Sequence, residues 1–275
     1  IRELGRRMAM MTLIMLASPV IAPALGAALL RFGWQSIFLF KAGYAGLLLV
    51  YYLLRVPETR PGQWRDMSVI RLLQQSAEVV SRKIDGKRLP MRFAVSMALA
   101  SGVFMTFLTN SSFAYIEYFG VSTNAFPFYF SLSLVGLIAT NIYSMNRLTP
   151  AKAPKYFRYG LIVQAFAVAS LVLLVFLGST NIWTVVIPVM ILVACFGLTG
   201  PSGSSQYMSF FDKLAGSASS FYTTLMFAMG AIFGGISGYF FDGTLRPMAL
   251  TMLFASFGAV LLGATIRRTD SQLTS

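Results

Sequence analysis

The chain contains no histidine and a single cysteine, Cys195. The first absence removes the usual general base, proton shuttle and imidazole metal ligand. The second excludes an intrachain disulfide, and one thiol makes no metal site. Charge is scarce too: 11% of the 275 residues are charged, whereas a soluble domain carries roughly 25% to cover its surface. No phosphate-cradling glycine motif occurs, so neither ATP drive nor any other cofactor is expected, and nothing marks an enzyme. What is abundant is apolar: 56% of the residues are hydrophobic and the mean hydropathy is +0.70.

Charge-free runs of spanning length recur along the chain. Met8–Leu30 holds 23 residues, Phe93–Ile116 24 and Phe126–Met145 20. Tyr159–Phe211 continues for 53, broken by the turn-like GSTN at Gly178–Asn181, and Phe221–Phe241 and Pro247–Ile266 follow. About 20 apolar residues cross a ~30 Å hydrocarbon core, so the longest run is two helices. Trp34–Leu54, interrupted only by Lys41, makes another. The expected fold is all-α, a polytopic membrane protein with eight spans. The first run is too long for a cleavable signal peptide and lacks a small-residue cleavage site. Because residue 1 is Ile rather than Met, the coding region is expected to begin upstream.

A net charge of +13 could point to nucleic acid, but the placement of the charges argues against it. With eight spans, 19 of the 22 Lys and Arg fall on one side, at the termini, in the long loop Arg55–Arg92, in Arg147–Arg158 and at Lys213. Only Arg31 and Arg246 fall on the other side, and Lys41 lies within a span. Cytoplasmic loops collect Lys and Arg. Both termini and the long loop are therefore expected in the cytoplasm, with the chain in a bacterial inner membrane and no nucleic acid as partner.

Outer loops are short, so function has to sit within the membrane. The organisation expected is two spans in 1–54, a basic loop with an amphipathic helix in 55–92, and a six-helix half in 93–275. In that loop Asp66 is a candidate cap for a helix in which Ile70, Leu73, Ala77, Val80 and Ile84 recur at helical spacing. It reads either as a connector lying on the membrane surface or as the linker between two transporter halves.

The stretch ASPVIAPALGAALL, Ala17–Leu30, places Pro19 and Pro23 four residues apart, on one helix face. Proline releases a carbonyl and bends a span, which neighbouring helices or a cavity can accommodate. Ser18, Ala22, Gly26 and Ala27 allow close approach of another helix.

These residues resemble the antiporter signature in the fifth helix of drug:proton antiporters of the major facilitator superfamily. Pro19, Pro23 and Gly26 match; Ala22 and Ala27 stand where the pattern has glycine. RFGWQSIF at Arg31–Phe38 is similar to the turn that follows, with Gln35 in place of arginine. Ser111–Leu132 and Leu214–Gly234 are similar to the seventh-to-eighth and eleventh helix regions of the bicyclomycin-resistance (Bcr/CflA) branch. The resemblance covers essentially the whole chain, as helices 5–12 of a twelve-helix carrier with four helices preceding it. It implies multidrug efflux in exchange for protons by alternating access, by a carrier that is monomeric at full length. The alternatives are a dedicated exporter of one metabolite or siderophore, and a non-transporting scaffold or remnant.

Polar side chains within the spans are the pathway candidates: Asn110, Ser111, Tyr115, Tyr129, Asn141, Gln164, Tyr222 and Met226, together with Lys41. Single Ser and Thr residues usually bond their own helix, whereas Asn110, Asn141 and Gln164 need a cavity or an interhelical partner. Glu117, at an outer end, is the one carboxylate near a span, so the proton-coupling residue is expected in the preceding helices. Gly230, Gly234 and Gly238 form a GxxxGxxxG ridge for close helix packing.

Overall fold

The computed structural model describes residues 21–57, 69–84, 86–149, 151–211 and 214–266. Ser18, Pro19, Asp66, Lys213 and most of the first expected span lie outside the described residues.

Among the described residues the chain forms α1 (Ile21–Leu30), α2 (Gln35–Arg55), α3 (Val69–Ser81), α4 (Leu89–Ser112), α5 (Phe126–Arg147), α6 (Ala153–Phe176), α7 (Trp183–Met208), α8 (Ala215–Tyr239) and α9 (Arg246–Ala264). Seven of these, α2 and α4–α9, are long and apolar enough to cross a membrane, and α1 is the described end of the first expected run. Prolines open α4, α5, α6 and α9 within their first two positions. There the missing N–H costs no hydrogen bond. Four connections on the side expected to face outward turn on a glycine at positive φ: Gly33, Gly120, Gly178 and Gly243. This is backbone that only glycine adopts freely. In the last of these turns Asp242 Oδ1 accepts from the Thr244 amide at 2.9 Å and from its hydroxyl at 2.6 Å. Those bonds hold the exposed Asp242 carboxyl below the usual carboxylate range.

Helices α4–α9 pack as one bundle. At its centre α4 meets α7, α8 and α9, while α6 meets α7 and α9, and α5 lies on α7. The buried side chains form two apolar clusters. The outer one is built around Phe107, Tyr115, Phe130, Leu171, Val186 and Met252. The other, called cytoplasmic after the side expected from the Lys and Arg distribution, is built around Phe93, Met97, Phe157, Tyr207, Phe211 and Tyr222. Phe196 touches both and stacks on Phe104 at 5.0 Å.

Helix α3 forms where the loop periodicity predicts, but Leu73, Ala77 and Val80 of its apolar stripe are exposed, while Ile84, just past the helix, packs against the bundle. Leu73 is 65% exposed and Val80 36%, while Val79 is 2% exposed and packs in the cytoplasmic cluster. Ser217 donates to Gln75 Oε1 at 2.8 Å, tying α3 to α8. An apolar stripe at a membrane surface can be covered by lipid instead of protein, so periodicity alone did not identify the face that packs.

The glycine ridge of α8 is shorter than expected. A Cβ at Gly230 would meet Met105 Cγ at 2.7 Å, and one at Gly234 would meet Thr109 Oγ1 at 3.0 Å. At Gly238 nothing lies within 4 Å, and the residue is exposed. The third place against α4 belongs to the buried Ser237. Successive i+4 steps drift round a helix of 3.6 residues per turn, and an i+7 step brings the stripe back. Gly26 likewise has nothing within 4 Å of its Cβ position. The close approach expected there is not made by any described residue.

Candidate functional site in the membrane-spanning bundle

At its outer end α4 widens into a π-turn over Phe113–Tyr118, a distortion often found at functional positions. It turns Tyr115 inward, fully buried, with its ring against Phe107, Phe126 and Tyr129 at 6.2–6.3 Å. Tyr115 Oη lies 2.8 Å from Ser133 Oγ. Ser133 gives its one proton to the Tyr129 carbonyl at 3.0 Å, so Tyr115 is the donor of the pair.

One turn nearer the membrane centre, Asn110 is buried between α4 and α8. Its Nδ2 donates to the Thr106 carbonyl at 2.8 Å, and its Oδ1 accepts from Ser237 Oγ at 3.2 Å. The amide therefore has partners on both helices. Ser111 bonds the Leu108 carbonyl of its own helix at 3.0 Å.

Between α5 and α7 the backbones nearly touch. Gly197 faces Thr140 and the Leu137 carbonyl with no room for a Cβ. Thr140 Oγ1 donates across to the Ala194 carbonyl at 2.7 Å. Two prolines, Pro188 and Pro201, lie inside α7. Pro201 has no N–H for the Gly197 carbonyl four residues earlier. That carbonyl accepts from Ser144 Oγ at 3.3 Å instead.

The third feature is a set of unpaired oxygens. Gln164, at the middle of α6 and fully buried, donates Nε2 to the Ala100 carbonyl at 3.4 Å, while its Oε1 has no partner among the described residues. Ser101 Oγ and Ser256 Oγ, also mid-helix, likewise have no partner among the described residues. In the half that holds the second cluster Tyr207 and Tyr222 stack at 4.9 Å, and neither their hydroxyls nor Gln206 Oε1 has a partner among the described residues. Each unpaired buried polar atom costs about 1–3 kcal/mol, so six in one bundle require a reason.

The exposed surface is of two kinds. Helices α6 and α9 present Ile162, Phe166, Leu173, Phe254, Phe257 and Leu261, a surface suited to lipid. Helix α4 exposes Thr109 and Ser112, and α8, on the side away from α9, exposes Ser220, Thr224, Ala231 and Gly235. Apart from Phe227, 62% exposed on the same stripe of α8, this second face is small and hydroxyl-bearing.

The expected pathway residues therefore fall in separate places. Asn110, Ser111, Tyr115 and Tyr129 gather in the outer half, and Gln164 lies at the centre. Tyr222 and the half-buried Met226 join the cytoplasmic cluster. Asn141 is half-buried on α5 where that helix crosses Gly197. Lys41 stands apart: it is exposed on α2, its Nζ 6.0 Å from the Phe38 ring of its own helix. Gln206 meets the criterion that selects Gln164, an amide inside a charge-free run, yet is missing from the expected set. Ser133 follows Tyr129 by one turn on the polar stripe that the sequence shows in Phe126–Met145, whereas Ser237 carries no sequence signal.

A family model described as Major Facilitator Superfamily matches residues 1–235. The chain is 25% identical over 254 residues to a bicyclomycin resistance protein homolog of Haemophilus influenzae, covering 91% of this chain and 62% of that protein. It is 23% identical over 254 residues to an uncharacterized MFS-type transporter, YdgK, of Bacillus subtilis, with the same coverage. The chain thus spans 62% of the length of the curated relatives it matches.

Proposed function

Because the chain belongs to the Major Facilitator Superfamily, we propose that it is part of a carrier that moves drug-like small molecules out of the cell in exchange for protons, by alternating access. The observation that carries this reading is the set of six unpaired oxygens, at Ser101, Gln164, Gln206, Tyr207, Tyr222 and Ser256, buried in α4 and α6–α9. In hydrocarbon such atoms are expensive. They are useful in a bundle that opens to a polar path in another state of the cycle and closes over it in this one. The path they mark is uncharged, which suits weakly polar or aromatic substrates better than ions. The name of the Haemophilus relative supports drugs as the substrate class.

The carrier sits in a bacterial inner membrane with both termini and residues 55–92 in the cytoplasm, on the strength of the Lys and Arg distribution. The two exposed faces of the bundle suit different neighbours, the large apolar one lipid and the small hydroxyl-bearing one on α4 and α8 the other half of the carrier. In this reading 1–54 belongs to that other half and 93–275 forms its own. Pro23, in α1, bends that helix at the boundary between the halves. Among the described residues no carboxylate is buried within a span: Glu117 and Asp242 are exposed at the outer side. Proton coupling is therefore assigned to helices other than α4–α9.

The test is a drug-susceptibility panel with the full-length gene in an efflux-deficient bacterial host, paired with dye efflux from inverted vesicles. Raised resistance to several unrelated compounds, abolished by a protonophore, is the expected result. Resistance to none, with the protein present in the membrane, would remove the drug reading. Export of a single metabolite would replace it with a dedicated exporter.

A further inference from the structure

A second site lies outside the bundle's interior, where the chain passes from α3 into α4. Ile84 and Lys87 exchange backbone hydrogen bonds, each 2.9 Å, and Gly86 turns between them at φ +72°. This tight hairpin and the first turn of α4 surround a cavity of about 500 Å³ lined by Lys83, Lys87, Arg88 and Arg92. Its apolar side is Met91 and Val95 of α4 with Leu262 of α9. Among the described residues the lining includes no carboxylate; Asp85, between Ile84 and Gly86 in the sequence, lies outside them. None of the four cations forms an ion pair with a described residue, while the neighbouring Arg82 lies 3.9 Å from Glu78. Arg88 is the N-cap of α4 without a side-chain cap bond, so the helix end adds its own positive potential.

Four cations around one cavity repel each other and concentrate field in it. The apolar wall is unlike a site for a soluble anion, which needs polar groups on every side. The cavity also sits at the N-terminal end of α4 and the C-terminal end of α9, which the topology proposed above places on the cytoplasmic side. We propose that this cavity binds the phosphate of an anionic phospholipid of the cytoplasmic leaflet, with the acyl chains lying along Met91, Val95 and Leu262. Basic pockets at the cytoplasmic ends of spanning helices suit such headgroups. The occupant fixes the α3–α4 hairpin to the membrane surface, the same surface that the exposed Leu73 and Val80 of α3 face.

The test does not depend on transport. The purified chain in neutral detergent is titrated with phosphatidylglycerol, phosphatidylcholine or inorganic phosphate, and bound lipid is counted by native mass spectrometry alongside the melting temperature. Phosphatidylglycerol is expected to be retained and to raise the melting temperature, and the other two are not. Lys87→Gln/Arg88→Gln/Arg92→Gln should weaken that binding by about tenfold or more, whereas Arg147→Gln/Lys152→Gln/Lys155→Gln, which neutralises the same side elsewhere, should change it by less than about twofold. The single exposed variant Lys87→Gln, which leaves the buried packing untouched, should weaken it in the same direction if the triple variant does not fold. An equal response to inorganic phosphate would assign the cavity to a soluble anion and overturn the lipid proposal. Equal losses in both triple variants would reduce it to diffuse surface charge, and no preference for phosphatidylglycerol would refute it outright.

Discussion

Helices α2 and α4 are similar in length and apolar content, yet none of the 21 residues of α2 is buried while 16 of the 24 in α4 are. Both contain glycine. Gly43 and Gly46 of α2 have nothing within 4 Å of a Cβ position, whereas at Gly102 of α4 a Cβ would meet Phe233 at 2.7 Å. Among the described residues, similar hydropathy thus accompanies both a helix with packed neighbours and one without. In lipid the hydrophobic effect does not drive helices together; close backbone approach and interhelical hydrogen bonds do. In α4 those devices are present and engaged: Ser96 donates to the Ala259 carbonyl at 2.8 Å, Asn110 meets Ser237, and Met105 lies on Gly230. In α2 the small residues have no described partner.

The largest expected effect compares glycines across this divide. Gly197→Leu would drive a side chain into Thr140 and the Leu137 carbonyl, which lies 2.7 Å from the Cβ position. Overpacking of this kind costs about 1–3 kcal/mol, and backbone in the way puts this case at the upper end. Gly43→Leu, facing open space, should change stability by less than about 0.5 kcal/mol. Unfolding of the chain in detergent reads both. Equal losses at the two positions would mean that α2 packs as tightly as the bundle does.

A smaller effect tests how the bundle tolerates Pro201. Ser144→Ala should cost about 1–2 kcal/mol, since it leaves the Gly197 carbonyl buried without a donor. With Pro201→Ala in place, the restored amide supplies that donor, and the loss on removing Ser144 should shrink. A double-mutant cycle is expected to show coupling of about 1 kcal/mol, and strict additivity would sever the link.

The Asn110–Ser237 bridge should be weaker still. Interhelical hydrogen bonds in membranes average about 0.6 kcal/mol and reach about 1.7, so Ser237→Ala is expected at the low end. Asn110→Ala removes the intrahelical bond too and should exceed it. In the full-length carrier Asn110→Ala should also shift the drug profile. A profile identical to the unaltered carrier would make Asn110 a packing residue alone.

The spans were legible because charge-free length is a property of composition. Seven of the eight expected runs stand as described helices, and part of the first as α1. Which face of each helix packs was legible only where bulk or backbone demanded it. Gly230 and Gly234 serve the ridge but Gly238 does not, because a sequence spacing of four drifts round the helix. The stripe of α3 pointed to lipid and not to the bundle, since both solvents reward the same pattern. For the site, amides were the readable signal: Asn110 and Gln164 stand where an amide in mid-span requires a partner. Hydroxyls were not readable, because a serine that bonds its own helix and one that bridges to another look alike in sequence. Ser111 is of the first kind, Ser144 and Ser237 of the second. The two tyrosines with unpaired hydroxyls differ from Tyr115 only in lacking a serine opposite.

That difference supplies the most direct test of the central claim, that the unpaired oxygens of the bundle serve the transported molecule. Tyr207→Phe/Tyr222→Phe removes two hydroxyls that bond to no described residue and leaves the stacked rings in place. For the folded bundle this deletion should be neutral or stabilising, because two buried groups of about 1–3 kcal/mol desolvation cost each are removed. Gradient-driven dye efflux is then measured in inverted vesicles carrying the full-length carrier, with the unaltered carrier as the control. The account predicts efflux reduced by about tenfold, the loss of about 1.4 kcal/mol of interaction with the passing substrate, at unchanged or higher melting temperature. Full efflux from the double variant would contradict it, and the unpaired oxygens would then have no part in transport.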